Sequence, residues 1–282
     1  MQLKRLYIKE YKLFKDFTYE FPADYQHYIH VLIGINGSGK STVLEAIAEI
    51  FSCVVLGEKS KFGFELEYIM RYESTSVKSE SGLYWSNIQY KDVLIKATDS
   101  EQIPELLIKA DDEVVVFDSA PPKNQYNYYL PQSVVIYYSG NSKIMKEMCI
   151  PHNNMLLDYY IKGATLQSNQ FYYYEPDLFK LILISLLSFE YGDIPVFLKE
   201  KAKISGFQSI EITLKRPIWA KDSAQNFWGA KGEILDFLKY LNSLATKEVH
   251  LVDGNGMLLF EVTNDSFIQI SIFGDRLYRI KD

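Results

Sequence analysis

His30-Val31-Leu32-Ile33-Gly34-Ile35-Asn36-Gly37-Ser38-Gly39-Lys40-Ser41-Thr42 is the stretch that decides how this chain folds. Residues 28–33 are a short run of β-branched, aromatic and aliphatic residues closed by Gly34, which predicts a strand. Residues 42–51, Thr-Val-Leu-Glu-Ala-Ile-Ala-Glu-Ile-Phe, repeat their apolar members at helical spacing and predict a helix. Between the two lies G-x-x-x-x-G-K-S, complete at Gly34, Gly39, Lys40 and Ser41.

Backbone chemistry gives the pattern its meaning. Glycines at Gly34, Gly37 and Gly39 let consecutive N–H groups turn inward, and the helix that follows adds its positive N-terminal end. A triphosphate is the ligand that fits. Lys40 is expected to reach the β- and γ-phosphate oxygens, Ser41 to supply one ligand of a Mg²⁺ ion that keeps several waters, and Thr42 to touch the α-phosphate. Gly34, Asn36, Gly37, Ser38, Gly39, Lys40, Ser41 and Thr42 are thus the candidate nucleotide-binding residues, with ATP and Mg²⁺ as cofactors and Ser41 as the metal ligand. The pattern itself names no catalytic residue.

Working outward, 282 residues with 48% apolar content can hold one large α/β domain or two small ones with a packed core. Thirty basic against thirty-six acidic residues give a formal charge of −6, which excludes a chain-wide basic field for nucleic acid while leaving room for a local DNA-binding strip. Cys53 and Cys149, the only cysteines, make neither a disulfide framework nor a metal cluster and suit a reducing cytosol. Both are expected to be buried. The N-terminus leads into a strand rather than a signal-peptide core, and the longest apolar run, residues 181–187, is too short to span a bilayer. A cytoplasmic protein with no membrane partner is the expectation.

Residues 3–9 and 17–21 alternate apolar and polar and predict two antiparallel strands before the one that feeds the loop. Residues 62–73, 84–90 and 93–97 predict further antiparallel strands. On them, Glu65, Glu67 and Arg71 form either a binding surface or an ordinary solvated face. Glu113-Val114-Val115-Val116-Phe117-Asp118 has the form of a Walker B strand, making Asp118 a candidate ligand in the Mg²⁺ shell. Ser119-Ala120-Pro121-Pro122 stands where a catalytic Glu would follow, and strands often end this way. Residues 134–138 predict a strand ending at Ser139-Gly140-Asn141, a turn either beside the γ-phosphate or simply capping a helix over 143–148.

These phrases carry a resemblance. The opening Lys4-Arg5-Leu6-Tyr7-Ile8, then Phe14-Lys15-Asp16-Phe17, the loop, and Leu44-Glu45-Ala46-Ile47 resemble the head domain of ABC-type ATPases of the SMC and RecF kind. More narrowly, the loop, Tyr129-Leu130-Pro131 with residues 134–141, and the helix from Tyr174-Glu175-Pro176 are similar to the AAA-family ATPases found beside restriction and other anti-phage systems. The resemblance implies an α/β P-loop NTPase fold with a mixed sheet, an antiparallel β subdomain and flanking helices. It also implies ATP-driven pairing of two heads, as a homodimer or with a C-terminal ATPase lobe, and work with a nuclease or other effector, or with DNA, in defence or repair.

Further along, residues 153–170 are polar, residues 176–191 predict a buried helix and residues 194–202 a second one. Ile204-Ser205-Gly206-Phe207-Gln208 echoes an ABC signature, but that signature needs a helix directly behind it, and residues 209–215 alternate like a strand. It reads as a turn. Residues 216–228 are a loop, 232–245 an amphipathic helix, and 249–253, 257–263, 267–273 and 277–280 a hairpin series. One lobe over 1–282 is expected, organised as 1–60 (strands, loop and first helix), 61–138 (β-rich), 139–248 (helical) and 249–282 (hairpins).

After Lys40 the sequence holds no convincing signature helix and no apolar strand ending in Asp-Glu. The expectation is an N-terminal ATPase lobe, with hydrolysis waiting on a second lobe or chain. The alternative is a nucleotide-binding regulatory or assembly subunit without turnover. A small-molecule P-loop kinase is disfavoured by the aromatic β insertion and the lack of an Arg-rich lid.

Overall fold

The computed structural model of the chain describes residues 1–22, 29–78, 84–110, 113–117, 129–138, 143–162, 171–175, 178–187, 189, 191–222, 224–245, 250–252 and 257–263. They fall into two compact units, Met1–Asn153 with Ser168–Tyr173, and Asn154–Gln167 with Tyr174–Asp282.

The first unit is built on a six-stranded sheet of order β2-β1-β3-β4-β5-β6, antiparallel throughout. Its strands are β1 (Gln2–Tyr11), β2 (Phe14–Glu20), β3 (Phe64–Lys78), β4 (Tyr84–Ala97), β5 (Glu105–Ala110) and β6 (Glu113–Phe117). The strands before the loop and the β-rich stretch after it therefore share one antiparallel sheet, where a mixed sheet with a separate β subdomain was expected. The two strands expected over 84–90 and 93–97 are the single strand β4, and β5 was not foreseen.

Period-two patterning sorts the two faces. Leu6 and Ile8 of β1, Phe64, Leu66 and Tyr68 of β3, Val93, Ile95 and Ala97 of β4, and Leu106 and Ile108 of β5 are all buried, and the strand register places them in rows across the sheet. The other face is charged. Arg5 there bridges Glu65 at 2.7 Å and Glu67 at 3.0 Å, Lys96 meets Glu105, and Lys4 meets Asp92. Glu65 and Glu67, weighed as part of a binding surface, are thus internally paired, as on a solvated sheet face.

Against the apolar face lies α1 (Lys40–Leu56), with the first half of α2 (Ile144–Lys162) in the same core. Helix α1 is longer than its predicted 42–51. It ends where Gly57 takes a left-handed φ of 69°, letting Glu58 N–H reach the Cys53 carbonyl and Gly57 N–H that of Val54. Phe51 of α1 meets Tyr68 of β3 edge to face at 5.6 Å, and Tyr68 sends its hydroxyl to the Tyr129 carbonyl at 2.6 Å. Removing a ring buried like that of Phe51 costs about 3–5 kcal/mol, so this contact fixes how α1 lies on the sheet.

Helix α2 departs from expectation. It was read as a short helix over 143–148 before a polar stretch, yet it runs through Pro151 to Lys162. Met145, Met148, Cys149 and His152 are buried at i, i+3, i+4 and i+7, and this stripe holds the helix together across the proline. Strands β7 (Val134–Tyr137) and β8 (Phe171–Tyr174) pair with each other, the second unforeseen.

The second unit holds α3 (Phe179–Leu187), α4 (Asp193–Phe197) continuing as a π-helical turn over Leu198–Ala202, β9 (Ser209–Lys215), α5 (Gly232–Leu244), β10 (His250–Val252) and β11 (Met257–Thr263). Strands β10, β11 and β9 form an antiparallel sheet, with Trp228 and Leu241 buried beside Ile212 and Leu214. A strand, not a helix, follows residues 204–208, which are irregular with a bend at Gln208. Helix α3 is shorter than 176–191 and is not wholly buried, since Phe179 and Ile182 are exposed. The strands expected over 267–273 and 277–280 lie outside the described residues. No helix among the described residues is long and apolar enough to cross a membrane.

Candidate nucleotide site

The loop between Ile33 and α1 is assembled by local chemistry. Gly37 and Gly39 adopt φ of 82° and 91°, the left-handed region that side-chain-bearing residues rarely enter. Gly39 is the N-cap of α1 and its carbonyl receives Val43 N–H at 2.9 Å, while Ser38 N–H closes a turn onto the Ile35 carbonyl at 3.2 Å. A Cβ at Gly34 would stand 2.7 Å from Ser38 Oγ. Each of these three glycines therefore stands where a side chain would crowd the loop or where the backbone turns left-handed.

Lys40 folds back over this loop. Its Nζ donates to the carbonyls of Gly34 at 2.8 Å and Ile35 at 2.7 Å, so an ammonium stands at the mouth of the turn. Asn36, Gly37, Ser38 and Ser41 are exposed, and Thr42 is buried. The first turn of α1 carries no acidic side chain, so nothing local offsets the positive end of the helix. The structure thus brings all eight predicted residues into one loop and helix start. Asp118 and Ser139-Gly140-Asn141 lie outside the described residues.

Two supports of the loop had no signal in the local sequence. The β1–β2 hairpin turns through Lys12, at φ 53°, and Leu13, and its tip presses on the loop. Phe14 Cζ is 2.6 Å and Leu13 Cδ1 3.2 Å from where a Gly39 Cβ would be. One turn into α1, the buried Glu45 carboxylate accepts the Tyr11 hydroxyl at 2.9 Å and an ion pair from Lys12. Burial, then the Glu45 carboxylate, push the Tyr11 hydroxyl pKa well up, so Tyr11 stays a donor. Glu49, a turn further on, pairs with Lys61 at 2.7 Å. These contacts tie α1 to the hairpin at its head and to the β3 approach at its side.

The segment entering the loop is the principal departure from expectation. Residues 29–33, the described part of the predicted strand, run without a ladder partner. His30 packs edge to face on Phe21 at 5.1 Å, and Leu32 packs against the core of the first unit. Ile29, Val31, Ile33 and Ile35 are 83%, 72%, 91% and 82% exposed. The alternation is that of a strand, but a strand exists only by pairing, and no neighbouring strand is present among the described residues.

With this geometry in place, the AAA ATPase domain matches residues 1–175, more than half of the chain. The chain belongs to the AAA ATPase domain family. No curated protein and no solved structure matches it. The match covers the loop, the six-stranded sheet and α2, and it brings a nucleotide-binding ATPase function to this AAA ATPase domain. The donor set agrees with a polyphosphate: glycine-shaped backbone, an unopposed helix N-terminus, and a lysine held by nothing stronger than two carbonyls.

Proposed function

We propose that this AAA ATPase domain is the ATP-binding lobe of an ABC-type, SMC- or RecF-like ATPase whose site is completed by strands from a second lobe or chain. The observation that carries the proposal is the segment entering the loop, with His30 and Leu32 packed inward and Ile29, Val31, Ile33 and Ile35 open. A strand apolar on both faces has the composition of one buried inside a parallel sheet.

In this reading the loop amides cradle the phosphates, Lys40 exchanges the Gly34 and Ile35 carbonyls for phosphate oxygens, and Ser41 offers its hydroxyl to Mg²⁺. The ion, when bound, neutralises charge on the terminal phosphates. The hairpin tip at Leu13 and Phe14 keeps Gly39 in its left-handed turn. Pairing as a homodimer or with a C-terminal lobe, and work with a nuclease, another effector or DNA in defence or repair, rest on the sequence resemblance.

Calorimetric titration with Mg²⁺ and a non-hydrolysable ATP analogue tests the binding step. Lys40→Ala is expected to weaken it about tenfold or more, the loss of one charge-assisted contact of about 1.5–3 kcal/mol. Equal affinity in the variant overturns the proposal. The unpaired segment also favours a second reading, a nucleotide-binding regulatory or assembly subunit without turnover. Steady hydrolysis by the isolated chain, abolished in Lys40→Ala, removes that one.

A further inference from the structure

Helix α1 has a polar contact at its far end that the nucleotide site does not use. Ser52 Oγ lies 2.8 Å from His152 Nε2, with both residues buried and the imidazole stacked on Phe171 at 4.1 Å and 18°. The other ring nitrogen, Nδ1, is buried without a hydrogen-bond partner among the described residues. His152 is held, then, by one directional bond and one stacking contact. We infer that the Ser52–His152 hydrogen bond is a positioning contact through which the state of the loop at Lys40 reaches α2 and, along it, residues 154–162.

Four observations lead there. Ser52 stands twelve residues beyond Lys40 on one uninterrupted helix, about 18 Å at 1.5 Å per residue, so a shift of the phosphate-binding end arrives at Ser52 undiminished. The loop has reason to shift, because the two carbonyls that Lys40 now holds are contacts a phosphate would replace. A hydrogen bond in an apolar surrounding also reports displacement in a way that apolar contacts do not. Methyl groups can slide past one another at small cost, while a buried donor or acceptor pulled off its partner loses about 1–3 kcal/mol.

The fourth observation concerns α2. His152 is the last buried residue of the helix within the first unit, and the boundary of that unit falls directly after Asn153. It is preceded by Pro151, whose missing N–H removes one backbone bond from the helix and makes this its softest point. The contact with α1 sits where α2 is easiest to bend and where one compact unit gives way to the other. Ser52 and His152 do not touch the loop, and act on it only through α1.

The inference rests on the nucleotide-binding reading, and one experiment separates the two. Amide hydrogen exchange of the full chain is followed by mass spectrometry with and without Mg-ATP, for the wild type, Ser52→Ala and His152→Phe. In the wild type, the peptide containing the loop is protected by Mg-ATP and exchange in residues 154–162 changes about fivefold or more. In either variant the loop peptide is still protected and the change at 154–162 is gone. A wild type whose loop is protected while 154–162 stay unaltered overturns the inference alone, as does a response at 154–162 that survives both substitutions. A loop that gains no protection removes the nucleotide reading and this inference together. His152→Phe keeps a ring against Phe171, and Ser52→Ala, which only deletes a hydroxyl from a helix, decides the matter if the first does not fold.

Discussion

The ring of Phe14 fills the space that a side chain on Gly39 would need, its Cζ 2.6 Å from the position of the missing Cβ. The hairpin that precedes the loop by some twenty residues therefore moulds the N-cap of α1. Two costs meet at this glycine, the left-handed φ of 91° and the collision with an aromatic ring of the core.

Gly39→Ala is accordingly expected to destabilise the chain by about 2 kcal/mol and to abolish nucleotide binding. Phe14→Leu combined with Gly39→Ala frees the ring's space but leaves the strained φ, so the pair should recover stability only in part. Chemical denaturation of the two variants beside the wild type measures this. A Gly39→Ala chain as stable as wild type would show that the loop relaxes away from the hairpin.

Lys40 separates stability from binding. Its side chain bonds two exposed-loop carbonyls and nothing in the core, so Lys40→Ala should change the unliganded Tm little. Mg-ATP stabilises any chain that binds it only when folded, by about 2.7 kcal/mol at a hundredfold excess over Kd, and so raises its Tm. The wild type should show the rise in a thermal shift assay and the variant about half of it or less. A variant that loses as much Tm as a core substitution would mean that Lys40 holds the loop together rather than waiting for an anion.

What the sequence discloses here follows the range of the forces. The turn at residues 34–41 was legible because its glycines answer a local backbone demand, whereas the helix over 143–148 was ended too early, although Met145, Met148, Cys149 and His152 share one buried face. Strand β5 was missed because its pairing partners stand elsewhere in the chain, and residues 29–33 were read as a strand although pairing, not composition, makes one. The Lys12–Glu45 and Ser52–His152 contacts span 33 and 100 residues. No periodicity encodes such distances. Burial of Cys53 and Cys149 was foreseen, and it pushes their thiols up to about 12 and about 11, keeping both protonated.

His152 gives the fold an acid sensitivity of known sign. Burial lowers its pKa from 6.5 to about 4, so between those values the unfolded chain takes up a proton that the folded chain refuses. Stability carries no penalty from this group above pH 6.5, falls as the pH drops through that window, and has lost roughly 3 kcal/mol at its lower end. His152→Phe should flatten the difference between denaturation midpoints at pH 7 and pH 4.5, with the carboxylates common to both proteins cancelling. Identical pH dependence in the two would show that the imidazole is protonated in place.

Glu45 is the one carboxylate of α1 that closes a contact to the hairpin. Glu45→Ala leaves the Tyr11 hydroxyl without its acceptor and Lys12 without its ion pair, at a cost of about 2 kcal/mol once the partial exposure of Lys12 is allowed for. Tyr11→Phe removes only one of the two bonds and should cost about 1 kcal/mol. Because both act on the same carboxylate, the double variant should fall short of the sum. Full additivity in equilibrium denaturation would place Tyr11 and Glu45 in separate interactions.

The open side of residues 29–35 makes the last prediction. Val31 and Ile33 are 72% and 91% exposed, so placing charge there removes no packing within the chain. Val31→Lys with Ile33→Lys should therefore leave folding stability within about 0.5 kcal/mol of wild type, in contrast to the several kcal/mol that a buried apolar position would lose. Four apolar residues in a row of alternate positions, with no strand ladder along residues 29–33, should also make the wild type associate as concentration rises. Sedimentation velocity over a concentration series should show that association in the wild type and its loss in the double variant. A severely destabilised double variant would mean that the chain already covers this face itself, and the second lobe proposed for it would have nowhere to add.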